Sequence, residues 1–139
     1  MKLSKKISIV LTLFVICMMP LVQSCKKYPD GPLIDFHSRK ERVANTWKVG
    51  NYIMNGTDYT SLMAGYVETY TEDGSYSYSF GNHSGTGIWT FQNSDAEIAL
   101  TGIHNQDNRT LVILKLEEKE FWYYYFDGGD RKEFHMIQY

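Results

Sequence analysis

The stretch from residue 109 to residue 138 constrains this chain more than any other, because two turns within it agree on which side chains face inward. Glu118-Lys119 separates Leu116 from Phe121's strand, and Gly128-Gly129 separates Asp127 from Asp130. Taken as two-residue hairpin turns, the first sets Leu116 opposite Phe121, Leu114 opposite Tyr123 and Val112 opposite Tyr125. The second sets Phe134 opposite Tyr123 and Met136 opposite Phe121. Lys115, Glu117, Arg131, Glu133 and His135 then share the other face with Trp122, Tyr124 and Phe126. A slip of one residue would bury those charges, so the register is strongly specified. One face is therefore apolar and the other wet, as in antiparallel sheets packed on one side.

The pattern repeats upstream. Runs rich in Tyr, Trp, Thr, Ile and Val occupy 45–54, 65–72, 75–81, 86–92, 96–101, 109–117, 120–127 and 131–138, and turn residues break them every ten to twelve positions or so. Only the connection after Asn55-Gly56 is long, with Tyr59 to Ala64 placed to make a helical turn. Short links between successive strands imply an antiparallel meander. The expected fold is all-β: an eight-stranded up-and-down antiparallel meander barrel, whose closure removes exposed edges. An open sandwich is the rival. The hairpin at Asp73-Gly74 admits two registers. A two-residue turn pairs Thr71 with Tyr76, whereas a three-residue Glu72-Asp73-Gly74 turn pairs Tyr70 with Tyr76 and Glu68 with Tyr78. The second is preferred because it gathers aromatic rings on one face. It turns Glu68 inward, where a carboxylate needs hydrogen-bond partners that nearby tyrosines can supply.

Ahead of the barrel stand Lys2, Lys5 and Lys6, then an apolar run from Ile7 to Val22, then Gln23-Ser24-Cys25. A run of about sixteen residues is shorter than the roughly twenty of a spanning helix and has the layout of a secretory signal. A small residue before a cysteine resembles the lipobox of bacterial lipoproteins. That resemblance implies residues 1–24 as a signal, lipidation at Cys25, and a membrane anchored through that lipid. Lys26 in place of an aspartate favours the outer membrane by the same resemblance. Residues 25–44 read as a tether whose first part is rich in Lys and Pro. Fully extended, some twenty residues reach about 65–70 Å. The segment His37 to Ala44 is compatible with a short helix, although Arg39 to Arg42 are all charged. Loss of the signal would leave 11 basic against 16 acidic residues, which disfavours nucleic acid as a partner. With Cys17 in the signal and Cys25 lipidated, no thiol remains for a disulfide, a metal or a nucleophile.

Within the barrel segment, Asn45-Thr46-Trp47-Lys48-Val49, Tyr70-Thr71-Glu72-Asp73-Gly74-Ser75-Tyr76 and Gly87-Ile88-Trp89-Thr90-Phe91 resemble the motifs of lipocalin-like domains of small bacterial lipoproteins. Leu114-Lys115-Leu116 with Phe121-Trp122-Tyr123 fits their late hairpin. The resemblance covers residues 45–139 and implies a barrel with Trp47 packed at its closed end, and no particular ligand.

No catalytic or cofactor motif emerges. His37, His83, His104 and His135 lie in separate segments without metal-ligand spacing, and no metal or cofactor is expected. Adjacent His83 and Ser84 lack a nucleophile elbow. Asp127-Gly128-Gly129-Asp130 is explained by turn chemistry rather than calcium, and Glu117, Glu118 and Glu120 cluster at a turn. A non-enzymatic role is expected. The unusual feature is the aromatic content, 7 Phe, 3 Trp and 11 Tyr. One reading is a pocket at the barrel mouth lined by Tyr70, Tyr76, Tyr78, Trp89, Tyr123 and Tyr125, taking a small apolar ligand. Lys132, Glu68 and the tyrosine hydroxyls would orient that ligand's polar end. The other is a barrel filled by those rings. A separate possibility uses the outside, where Trp122, Tyr124 and Phe126, with Leu111 and Ile113 beside them, would form a patch for an envelope protein partner. Cover by Leu33, Ile34 and Phe36 is the competing explanation.

Overall fold

The expected signal over residues 1–24, Cys25, and Leu33, Ile34 and Phe36 lie outside the described residues, since the computed structural model describes residues 37–104 and 106–139. Helix α1 spans Arg39–Val43. It starts at a capping box: the Glu41 backbone N–H donates to Ser38 Oγ at 3.2 Å, and the Ser38 N–H donates to the Glu41 carboxylate at 2.6 Å. Reciprocal satisfaction of this kind lets so short a helix begin cleanly. Val43 is fully buried, and its carbonyl accepts the Trp47 indole N–H at 3.0 Å. Helix and tryptophan together stopper one end of the barrel.

Among the described residues nine strands follow: β1 (Thr46–Met54), β2 (Thr57–Asp58), β3 (Val67–Tyr70), β4 (Ser75–Phe80), β5 (His83–Gln92), β6 (Glu97–Thr101), β7 (Arg109–Leu116), β8 (Glu120–Asp127) and β9 (Asp130–Gln138). A 3-10 helix, Thr60–Met63, sits between β2 and β3. β3 to β9 each run antiparallel to the next, and β1 pairs with both β3 and β9. The sheet therefore closes as an eight-stranded up-and-down barrel, with β2 a two-residue addition to the far end of β1. Closure leaves no long edge to recruit other chains.

The late hairpins have the register that their turns require. Leu116 pairs with Phe121 and Lys115 with Trp122. Across the next turn Tyr123 pairs with Phe134, Phe121 with Met136, and Trp122 with His135. The Asp73-Gly74 hairpin takes the three-residue form, with Tyr70 opposite Tyr76 and Glu68 opposite Tyr78. Gly74 closes it at φ +94°, a conformation that side chains disfavour.

Two inward assignments, Leu114 and Val112, are overturned. The register shifts between Ile113 and Lys115, so Ile113, rather than Leu114, pairs with Tyr123, and Val112 pairs with Tyr124. A bulge at Leu114 adds one residue to β7 and inverts the parity of everything before it. Leu111 and Ile113 are consequently buried, at 1% and 3% exposure, and do not join Trp122 on the outer face. Val112 and Leu114 are half-buried.

Glycine makes room on β5. A Cβ at Gly85 would meet the Tyr78 ring at 2.5 Å and the His104 carbonyl at 2.9 Å, and one at Gly87 would meet the Thr101 carbonyl at 2.8 Å. The absence of side chains there lets the chain following β6 fold against the sheet, where the His104 N–H donates to the Thr86 carbonyl at 3.2 Å.

Candidate functional site

The barrel interior has three levels. At the stoppered end, Trp47, Leu116, Phe121, Met136, Ile98 and Tyr70 are at or below 1% exposure. Trp89 joins them, its indole N–H donating to the Thr71 carbonyl at 2.9 Å. Rings meet at an angle here: Tyr70 lies edge-on to Phe121 at 5.7 Å and to Trp89 at 5.9 Å, favourable geometry for aromatic pairs. This half is filled.

Glu68 forms the middle level. It is 1% exposed and accepts four tyrosine hydroxyls. Tyr66 (2.8 Å) and Tyr76 (2.9 Å) donate to Oε1, and Tyr70 (3.0 Å) and Tyr123 (2.9 Å) donate to Oε2. An ionised carboxylate offers about four lone-pair sites and no donor, so four donors satisfy it completely. Three of these tyrosines come from β3 and β4 or the residue before β3, and Tyr123 comes from across the barrel on β8. Burial first, and the Glu68 charge second, hold the hydroxyl pKa values of Tyr66, Tyr70 and Tyr76 above the ordinary tyrosine range. The same two causes act in the same order on Tyr123.

Above this layer a cavity of about 520 Å3 opens at the end opposite Trp47, within the range of small-molecule sites. Tyr66, Tyr78, Phe80, Tyr125 and Phe134 give it aromatic walls. Its polar side chains are Asn82, His83, Ser84, Gln106, Arg109, Asp127 and Lys132. Among the residues expected to line a pocket, Tyr78, Tyr125 and Lys132 do so. Glu68, Tyr70, Tyr76 and Tyr123 form the layer beneath, and Trp89 is deeper still. Lys132 donates to Asp127, an interaction that raises the lysine pKa and lowers that of the aspartate. Arg109 donates to the Tyr125 hydroxyl at 3.2 Å and to Gln106, and its guanidinium lies 4.8 Å from the centre of the Tyr125 ring. Burial weighs against its charge, the surrounding tyrosines weigh for it, and the net shift is upward.

Arg109 and Gln106 do not stand out in the sequence as lining residues. The parity that carries Leu111 and Ile113 inward also carries Arg109 inward, so the bulge at Leu114 is the signal that reveals it. Among the described residues no group of three His, Cys, Asp or Glu side chains is arranged to hold a metal.

On the outside, Trp122 lies flat on His135 at 4.0 Å and 7°, with Lys115 Nζ 4.5 Å from its ring centre. Arg131 covers Tyr124 at 4.1 Å. The rings on this face are largely clothed by their own cross-strand neighbours, and Phe126 is the one left 65% exposed.

Fold and interior together define a stoppered eight-stranded up-and-down β-barrel with a polar-and-aromatic cavity at its open end. No family model matches the chain, and no curated protein matches its sequence.

Proposed function

We propose that this protein is a non-catalytic carrier of a small amphipathic ligand, held at the cell envelope by lipid on Cys25. Kinship with the lipocalin-like lipoproteins is part of the same reading, and rests on the motifs around Trp47, Gly74 and Trp89. The observation that carries the ligand is the mouth cavity, whose ring-lined walls suit an apolar body while Arg109 and Lys132 suit a polar head. The filled lower half supports it too, because a rigid base holds a site in shape. The anchor reading is carried by the basic start, the short apolar run and Ser24-Cys25.

Native mass spectrometry of the full-length chain as isolated from cells should show an added mass that solvent extraction releases, at about one molecule per chain. A bare chain from every preparation sinks the carrier reading. For the anchor, Cys25→Ala should move the protein from the membrane fraction to the soluble fraction. Lipid chains contribute roughly 0.8 kcal/mol per buried methylene, so the shift should be nearly complete, and unchanged fractionation would refute lipidation.

A further inference from the structure

We propose that the mouth cavity selects small aromatic monocarboxylates, and that the Arg109 guanidinium is the seat of the carboxylate. This inference rests on the ligand-binding reading above and names the ligand's class.

Charge sets the head of the ligand. Lys132 is already neutralised by Asp127, to which it donates, and the Glu68 oxygens are taken up by four hydroxyls. Arg109 is half-buried and lines the cavity. Its partners among the described residues, the Tyr125 hydroxyl and the Gln106 side-chain oxygen, carry no charge. A guanidinium has five donors in a fixed fork that matches a carboxylate in two-point contact. Asp127 feels the charge of Arg109 as well as that of Lys132, so the cavity lining sets two cations against one anion, and the surplus positive charge calls for one negative charge. A doubly charged phosphate would leave part of its charge unpaired, which is costly away from water.

Shape then sets the body. Tyr66 and Tyr78 are stacked at 6.2 Å and 25°, and Tyr125 and Phe134 at 6.0 Å and 9°. These near-parallel pairs give the cavity flat walls suited to a planar ring. The Glu68 layer closes the floor. On β8 Asp127 at the rim is four residues on from Tyr123 in that layer, about 13 Å of strand. A long acyl chain would protrude into water, whereas a one- or two-ring acid fits within that depth.

Titration calorimetry of the full-length chain with naphthoate, and with uncharged naphthylmethanol as its control, tests this. Naphthoate should bind about tenfold or more tightly than the alcohol, the range a charge-assisted hydrogen bond confers. Arg109→Gln should remove that preference by weakening naphthoate alone, and Arg109→Lys should restore part of it. Equal binding of acid and alcohol overturns the anion assignment and leaves the carrier reading standing. So does failure of naphthoate to bind a chain that leaves cells carrying another ligand. No binding of either probe, together with a bare chain from cells, overturns both. If Arg109→Gln does not fold, the acid-to-alcohol ratio on the unaltered chain decides the matter.

Discussion

Replacing Glu68 with alanine should lower the stability of the barrel by about 3–5 kcal/mol, because it strips four buried tyrosine hydroxyls of their acceptor at once. Each hydroxyl left without a partner away from water costs roughly 1–3 kcal/mol. The losses will not simply add, since Tyr66 and Tyr76 already lie 3.4 Å apart, hydroxyl to hydroxyl, and can pair with each other. Against a typical total of about 5–15 kcal/mol this is a large fraction. Glu68→Gln is the sharper variant. It preserves volume but turns two acceptor sites into an amide that donates toward hydroxyls which also donate, and should cost about 2 kcal/mol. Urea unfolding midpoints at constant m-value measure both. A glutamine variant as stable as the parent would show that the negative carboxylate is not what holds this layer together.

High pH should unfold the protein in one steep step. Tyr66, Tyr70, Tyr76 and Tyr123 have folded pKa values raised by burial and by Glu68, whereas in the unfolded chain they titrate near their ordinary value of about 10. A group whose folded pKa is raised contributes stability that is complete below the unfolded pKa and is lost as pH rises toward the folded one. Stability should therefore be flat through neutral pH and fall above about pH 10. Four such groups together give a slope of up to about 5 kcal/mol per pH unit. Phenolate absorbance and far-ultraviolet circular dichroism, followed together, should change in the same narrow interval. Smooth titration of every tyrosine with the sheet intact would contradict the sealed middle layer.

Where the chain announced its structure, it did so through pairs of constraints. The turns at Glu118-Lys119 and Gly128-Gly129 bracket β8 and give the same inside, and Phe121, Tyr123 and Tyr125 face in. Preferring aromatic company for Tyr70 placed Glu68 inward and made the tyrosines its partners. What stayed hidden was a local insertion. A bulge adds a residue without any turn residue to mark it, and Leu114 is as apolar as its neighbours, so alternation read straight through it comes out one step off. That single step misplaced Leu111, Val112, Ile113 and Leu114, and it concealed Arg109. The depth of each ring was also illegible, because alternation tells inside from outside but not high from low. Trp89 and Tyr125 look alike by parity, yet one is in the filled half and the other at the rim.

The filled half of this barrel lies on one side of the Glu68 layer, and the connections after β1, β4, β6 and β8 lie on the other. Exchanging those connections leaves the stoppered half untouched. The molecule is thus a chassis with interchangeable upper fittings, on which new specificities can be grafted from a single direction without redesigning what keeps it folded.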